Sequence, residues 1–448
     1  MPSDQQLIEL IDLTFTHQGK STPTIDDVNF SLEPGEIVLI AGATGSGKST
    51  LLSCIAGIAP SHTGGKLQGQ ILYQGKDISE WSVRQRSQHL CILLQNVETQ
   101  IFTERVWTEF VFGLENWNIP PTQIHQLTDT ALEEFGLEAQ RNWLIHQLSA
   151  GQKQRLLIAC LLAIGQPVML LDEPLAYLDA KGVKILLQLL KTRAQRGQSV
   201  IIVEHRLDLV AEICDRSYCF QNTKLINLHK PPTPPCLPTP PCPPCPPTPL
   251  TSTLLCTHKL SWGGYPLFPD LQVQAGETIL LKGDNGCGKT TLLKLLSGLM
   301  KPTTGKIEIL GRDMNKRSVV QIAKDVGFVL QNPNHQLFAD SVRAEIQQLR
   351  VSKAVADSLL EKLNLGDRAN DHPQALSQGQ KRRLALGAVL ARQPKICLLD
   401  EIMVGQDPHS LSLMLNVLDN FTQEGGALIF TSHIPLPAEV LKIRIVEL

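Results

Sequence analysis

Twice in 448 residues the chain spells Gly-x-x-x-x-Gly-Lys-[Ser/Thr]. The first copy is Gly42-Ala43-Thr44-Gly45-Ser46-Gly47-Lys48-Ser49, followed by Thr50; the second is Gly283-Asp284-Asn285-Gly286-Cys287-Gly288-Lys289-Thr290, followed by Thr291. Glycines at these places let backbone N–H groups close around a triphosphate, the lysine reaches the β- and γ-phosphates, and the hydroxyl after it can hold Mg²⁺. Such a loop needs an apolar strand ahead of it and a helix behind it whose N-terminal amides face the anion. Residues 37–40 and 278–281 supply the strands, and Thr50-Leu51-Leu52 and Thr291-Leu292-Leu293 open the helices. Two nucleotide sites in one polypeptide are expected.

Further landmarks follow each loop in the same order. Val168-Met169-Leu170-Leu171-Asp172-Glu173 and Ile396-Cys397-Leu398-Leu399-Asp400-Glu401 are aliphatic runs ending in paired acids. A buried parallel strand that delivers Asp to its carboxyl end suits Asp172 and Asp400 to hold Mg²⁺, and the adjacent Glu173 and Glu401 to orient or deprotonate a water. A third apolar run ends at His205 in one half and His433 in the other, and the matched offset favours a γ-phosphate contact for both. Between loop and acids lie Leu148-Ser149-Ala150-Gly151-Gln152-Lys153-Gln154-Arg155 and Leu376-Ser377-Gln378-Gly379-Gln380-Lys381-Arg382-Arg383. Ser and Gly ahead of an apolar helix form an anion-binding helix N-terminus.

The order of these landmarks marks an internal repeat: Lys48 and Lys289 are 241 positions apart, and Asp172 and Asp400 are 228 apart. Each half reads as strands, phosphate loop, helix, a polar helical middle and two buried strands, an α/β pattern. Between the halves, residues 229–251 are dominated by proline, which forms neither a helix nor a central strand. Polyproline II rises about 3.1 Å per residue, so some twenty residues span roughly 60 Å as a semi-rigid spacer. Cys242-Pro243-Pro244-Cys245 within it matches C-x-x-C, but paired prolines resist the tight turn that a thiolate metal site needs.

Composition narrows the function classes. With 42% hydrophobic residues the chain can bury sizeable cores, and 41 basic against 43 acidic residues leave a formal net charge of −2, with no basic field to attract nucleic acid. Residues 1–6 lack the basic and apolar blocks of a secretory signal, so export is not expected. The best candidate for a membrane span, residues 156–171, is interrupted by Gly165-Gln166-Pro167 and reads as helix, turn and buried strand. Eleven scattered cysteines argue for a reducing compartment, hence the cytosol.

The stretches around Ser149 and Ser377 resemble the L-S-G-G-Q signature of the ATP-binding-cassette family, both departing at the third place with Ala150 and Gln378. This resemblance implies two tandem P-loop nucleotide-binding domains, 1–229 and 252–448, joined by a linker at 230–251. Each would be a RecA-like α/β core with an antiparallel β subdomain and a helical signature subdomain. It implies ATP and Mg²⁺ as ligands and head-to-tail pairing of the cassettes within the chain. Lys48, Asp172 and Glu173 would then share one nucleotide with Ser377, Gly379 and Gln380, and Lys289, Asp400 and Glu401 the other with Ser149, Gly151 and Gln152. Gln95 and Gln331 resemble the glutamine that touches Mg²⁺ and senses nucleotide, and Asp179 and Asp407 the aspartates that communicate across the sandwich. His17 and Trp262 stand where an aromatic stacks on adenine; the alternative is that both are plain strand residues. The second half departs again with Ile402 in place of Pro174 and with Gly405-Gln406 ahead of Asp407.

Leu94-Gln95-Asn96-Val97-Glu98-Thr99-Gln100-Ile101-Phe102, with Phe112-Gly113-Leu114-Glu115-Asn116, and Gln331-Asn332-Pro333-Asn334-His335-Gln336-Leu337-Phe338 are similar to the ATPases of energy-coupling factor transporters. Those importers take up vitamins or cobalt and nickel ions. The resemblance implies an integral membrane coupling subunit and a substrate-binding membrane subunit as partners, and a place at the cytoplasmic face of the membrane. Phe102, Trp107, Phe110 and Phe338, with Glu104 and Glu109, are candidates for the docking surface; the alternative for Trp107 and Phe110 is packing within the helical subdomain. Two other function classes remain open: a soluble twin-cassette ATPase acting on ribosomes or DNA, and a nucleotide-binding regulator that no longer hydrolyses.

Overall fold

The computed structural model describes residues 6–228, 252–263, 267–284, 286–348, 351–432 and 442–448. The proline-rich stretch with its C-x-x-C, and with it Asn285 and His433, lies outside them. The chain divides into two compact units, Met1–Pro235 and Cys236–Leu448.

In the first unit a six-stranded sheet places the strand Ile37–Gly42 between Arg216–Gln221 and Ser199–Val203, followed by Val168–Asp172 and Leu90–Leu93, with Lys224–Leu228 at the other edge. Ile37–Gly42, Ser199–Val203, Val168–Asp172 and Leu90–Leu93 pair in parallel. Val168–Asp172 and Ser199–Val203 are buried along their whole length, as strands covered on both faces must be, which explains their unbroken aliphatic sequences. Parallel pairing in register (Ile40 with Val203, Asp172 with Val203, Leu93 with Leu171) brings four carboxyl ends to one edge. That edge is where ligands bind in open α/β sheets.

A separate antiparallel sheet, ordered Ile25–Leu32, Ile8–Thr16, Lys66–Tyr73 and Lys76–Asp77, packs its buried Ile8, Leu10, Leu13 and Phe15 against the phosphate-loop helix Lys48–Ala56. On the opposite face, helices Val106–Asn116, Pro121–Glu134 and Ala150–Ile164 join the sheet in a core containing Phe110, Leu132, Phe135 and Leu156. Arg86, almost fully buried, ties the far end of the phosphate-loop helix down. Its guanidinium donates to the carbonyls of Cys54 (2.8 Å), Ile55 (2.9 Å), Ser79 (2.7 Å) and Trp81 (3.2 Å). A cation at a helix C-terminus complements the dipole and satisfies its orphan carbonyls.

The second unit repeats this plan with a five-stranded sheet ordered Val326–Val329, Ile396–Asp400, Ala427–Thr431, Thr278–Lys282 and Ile443–Glu447. All four neighbouring pairs are parallel. Its antiparallel sheet is built from Gln272–Gln274, Thr253–Ser261, Thr304–Ile309 and Arg312–Asp313, and its helical part from Val342–Gln347, Lys353–Lys362 and Gln378–Leu390. The expected helix, turn and buried strand over 156–171 are present as Ala150–Ile164, a left-handed Gly165 and Val168–Asp172. Among the described residues, no helix is long and apolar enough to cross a membrane.

Candidate nucleotide site

Each phosphate loop bridges a central strand and a helix. Gly42 ends its strand at φ +146°, Gly45 lies at +82° and Gly47 caps the helix at +115°. A β-carbon on Gly47 would stand 2.9 Å from the Thr24 carbonyl oxygen and 3.0 Å from the Phe220 ring, and one on Gly42 would stand 2.6 Å from the Phe220 carbonyl oxygen. Only glycine fits this turn. In the second unit Gly286 and Gly288 repeat the positive φ values, at +89° and +103°, and Cys287 Sγ packs over Gly283.

The lysines fold across their own loops. Lys48 Nζ donates to the carbonyls of Gly42 (2.7 Å) and Ala43 (2.8 Å), and Lys289 Nζ to those of Gly283 (2.7 Å) and Asp284 (2.9 Å). Ser49 and Thr50, and Thr290 and Thr291, lie in the first turn of their helices. Thr290 Oγ1 donates to Asp400 Oδ1 at 3.1 Å, which joins the loop hydroxyl to the strand-end aspartate.

Glu173 and Glu401 adopt left-handed backbone, φ +51° and +50°, a conformation that costs a non-glycine residue about 1–2 kcal/mol. It aims each carboxylate at the neighbouring strand end: Gln95 Nε2 donates to Glu173 Oε1 at 2.7 Å, and Gln331 Nε2 to Glu401 Oε2 at 2.8 Å. His205 Nε2 lies 3.4 Å from Glu173 Oε1. Burial pushes Glu173 up, but the His205 contact, the Gln95 amide and Lys48 outweigh it and hold the carboxyl below its ordinary range. Asp172 goes the other way, pushed up to about 7 by burial and by the Glu173 charge. Asp400 is pushed up to about 6 by burial and by Glu401. Within the first site, therefore, Glu173 is favoured in the ionised form that a base requires, and Asp172 is pushed toward its protonated form.

The residues present suit MgATP. Ser46 Oγ and Asp172 Oδ1 are buried and have no hydrogen-bond partner among the described residues, as expected of groups arranged for a ligand. A hydroxyl and an aspartate side by side at a phosphate loop give the hard oxygen donors that Mg²⁺ prefers. Ser49 and Asp172, or Thr290 and Asp400, would hold the ion, which would withdraw charge from the β- and γ-phosphates.

The signature segments start their helices by a common device. Gln152 N donates to Ser149 Oγ (3.3 Å) while Ser149 N donates to Gln152 Oε1 (2.8 Å); Gln380 N to Ser377 Oγ (3.3 Å) and Ser377 N to Gln380 Oε1 (3.0 Å) repeat it. This capping box, with caps worth about 1 kcal/mol, turns both glutamine side chains back on the helix and leaves Gly151 and Gly379 buried in the first turn. Asp179 and Asp407 cap the next helices through Gly182 N (2.7 Å) and Ser410 N (2.9 Å). The two cassettes differ here. Gln154 donates to the Pro174 carbonyl at 3.0 Å, whereas in the second cassette Gln406, buried, donates to the Gly379 carbonyl at 3.1 Å and so joins the aspartate loop to the signature.

His17 is partly exposed, with its ring edge-on to Phe15 at 4.9 Å, and Trp262 is partly buried against the core of the second antiparallel sheet. Phe110 is 1% exposed and packs in the helical subdomain, so it is not part of a docking surface. Glu109 is corrected likewise: buried, it accepts from the amides of Phe102 (3.2 Å) and Thr103 (2.8 Å), closing the loop after Gln95. Glu345 does the same for Phe338 (2.8 Å) and Ala339 (2.7 Å). Val106, Phe110 and Leu114 recur every fourth residue and share a buried helix face, which takes Phe110 inward. Sequence reading missed Glu204, a carboxylate buried beside Glu173; its signal was a charged residue at the end of the apolar run Val200-Ile201-Ile202-Val203.

The pattern of the ABC transporter family matches residues 25–176 and 269–404, one stretch in each unit. The chain belongs to the ABC transporter family. An ABC protein of Methanosarcina acetivorans, described as a putative ABC transporter ATP-binding protein, is 30% identical over 461 residues, covering 95% of this chain and 86% of its own length. The putative HMP/thiamine import ATP-binding protein YkoD of Bacillus subtilis is 29% identical over 97% of this chain and 88% of its own. The archaeal ribosome recycling factor aABCE1, solved in complex with the ribosomal stalk protein aP1, superposes with a TM-score of 0.62 at 20% identity over 97% of this chain and 87% of that one. That last likeness is one of fold. As a family member the chain is a nucleotide-binding ATPase with two tandem cassettes.

The raised Asp172 gives this ABC ATPase a stability prediction. The carboxyl titrates near 7 in the fold against an ordinary 3.8, so between those values the folded chain keeps a proton that the unfolded chain has lost, and stability falls as pH rises through the window. D172N in the nucleotide-free chain should therefore stabilise the first unit more near pH 8 than near pH 5, by about 2–3 kcal/mol. Urea unfolding at the two pH values checks this; a difference independent of pH would contradict it.

Proposed function

We propose that this chain is the ATPase of an energy-coupling factor type importer, with ATP and Mg²⁺ bound at both phosphate loops and a vitamin or a cobalt or nickel ion as the imported substrate. Its partners on this reading are an integral membrane coupling subunit and a substrate-binding membrane subunit, which hold it at the cytoplasmic face of the membrane. Each ATP is shared head to tail between the phosphate loop of one cassette and the signature of the other, Lys48 and Glu173 with Ser377 and Gly379, and Lys289 and Glu401 with Ser149 and Gly151.

The observation that carries the reading is the loop after each sensing glutamine. Gln95 and Gln331 touch the base glutamates, and a few residues later Phe102 (72% exposed) and Phe338 (76% exposed) stand in solvent on loops clamped by Glu109 and Glu345. Phe102 lies beside the exposed Phe112, ring centres 5.5 Å apart, next to a groove of about 410 Å³ lined by Ile101, Thr103, Glu104, Leu144, Ile145 and His146 and by Glu98, which Lys153 pairs at 3.1 Å. Exposed phenylalanines beside a groove with apolar and mixed-charge walls suit the docking of a short amphipathic helix. A nucleotide-dependent movement of Glu173 would be felt at this surface through Gln95. The likeness to a relative named for thiamine import supports the same reading.

Purification of the tagged chain from detergent-solubilised membranes should recover two integral membrane proteins with it, and the reconstituted assembly should take up substrate in proteoliposomes only with hydrolysable ATP. Recovery with ribosomes and without membrane proteins would overturn the proposal in favour of a soluble twin-cassette ATPase.

A further inference from the structure

Glu204 carries a carboxylate that the hydrolytic assignments above do not use. It is 2% exposed, and burial together with the nearby Glu173 charge raises its cost of ionisation. Such a placement is expensive, and it is matched by three backbone donors. Leu175 N donates to Oε1 at 2.9 Å, and His205 N and Arg206 N donate to Oε2 at 2.9 and 3.2 Å. Arg206 Nη1 returns a hydrogen bond to the Leu175 carbonyl at 3.3 Å, closing a ring between the two segments.

The donors belong to the two loops whose side chains meet at the base. Leu175 lies two residues after Glu173, and His205 directly follows Glu204. The Glu173 amide is held to the Val203 carbonyl at 2.9 Å, so the strand ends are already fixed, and what is left to set is how far each loop swings beyond its strand. One carboxylate accepting from both loops sets that swing. The second cassette does this differently: Glu401 N donates to Thr431 Oγ1 at 2.9 Å, and Ser432 stands where the first has Glu204.

We infer that Glu204 is a positioning residue whose carboxylate clamps the Leu175 and His205 loops and thereby sets the 3.4 Å contact between His205 and Glu173 in the first cassette. The inference rests on the assignment of Glu173 and His205 to hydrolysis. The clamp acts on the geometry of the chemical step and leaves the phosphate loop, which binds the nucleotide, untouched.

The test is steady-state ATP hydrolysis by the full chain carrying E204Q together with E401Q, which confines turnover to the first cassette, compared with E401Q alone; the amide introduced by E204Q replaces one acceptor oxygen with a donor facing backbone N–H groups. The expected result is a fall in kcat of about tenfold or more, with KM for ATP within about twofold and the unfolding midpoint retained. A kcat within about twofold of E401Q alone, or kcat and KM moving together, overturns the clamp. If E204Q does not fold, E204D in the same E401Q chain carries the test, because its shorter reach keeps both oxygens but not all three contacts; an unchanged kcat in E204D overturns the inference, and a selective loss of kcat supports it. E173Q measured alongside separates the two claims. Full turnover in E173Q removes the base assignment itself, whereas a dead E173Q with an unimpaired E204Q removes only the clamp.

Discussion

Replacing Glu173 and Glu401 together by glutamine should leave ATP binding intact and lower turnover by about 10²–10⁴-fold, the usual contribution of a general base. The substitution is close to isosteric, and the amide oxygen can still accept from Gln95 Nε2 and Gln331 Nε2, which now donate at 2.7 and 2.8 Å. The loops around both positions therefore keep their anchors. What is lost is the ability to take a proton from water, which in the first cassette is sharpened by the environment: the contacts from His205, Gln95 and Lys48 overcome burial and keep Glu173 ionised. Equilibrium nucleotide binding and phosphate release measured on the same preparation would check it. Full turnover in the double variant would show that neither glutamate serves as the base.

A second large effect is expected at Gly47, where alanine should weaken ATP binding to the first cassette by about tenfold to a hundredfold, the strain of one non-glycine residue held in disfavoured backbone being about 1–3 kcal/mol. At φ +115° the backbone is closed to L-residues, and the added carbon would meet the Thr24 carbonyl oxygen at 2.9 Å and the Phe220 ring at 3.0 Å. Neither neighbour yields easily, since one is main chain and the other is buried in the core of that half. Relief must come from the loop itself, which would turn its amides away from the phosphates. The rest of the unit has no reason to unfold, so the variant should keep its helical content while losing affinity in a nucleotide titration confined to the first site by a disabled second loop. Unchanged affinity would mean that the cradle does not depend on this turn.

Much of the architecture could be read directly from residues adjacent in the chain. A phosphate loop is eight consecutive residues, and its glycine requirement follows from backbone sterics alone. The strands ending in Asp172 and Asp400 announce themselves because burial on both faces demands an uninterrupted aliphatic run. The repeat, the α/β class and the helix starts at Ser149 and Ser377 were visible for the same local reason.

Other features depended on partners far along the chain. Aromatic residues within ten positions of one another looked alike in sequence, yet Phe110 entered the core while Phe102 stayed in solvent, because helix periodicity acts on one and a carboxylate-clamped loop holds the other. Gln152 and Gln380 stood in a motif associated with nucleotide, and their side chains proved to close helix caps. Glu204 and Gln406 carried no motif, and their roles came only from the backbone groups they meet, Leu175 in one case and Gly379 in the other.

Which residue types could bind a triphosphate, hold a divalent cation and activate water was settled by the order of amino acids, because that chemistry is carried by short runs with their own backbone preferences. Which carboxylate is held ionised and which is pushed toward its protonated form was decided by folding, because proton affinity depends on burial and on charges that arrive from strands dozens of residues away. Asp172, Glu173 and Glu204 carry the same functional group, and the packing around two neighbouring strand ends gives them different proton affinities.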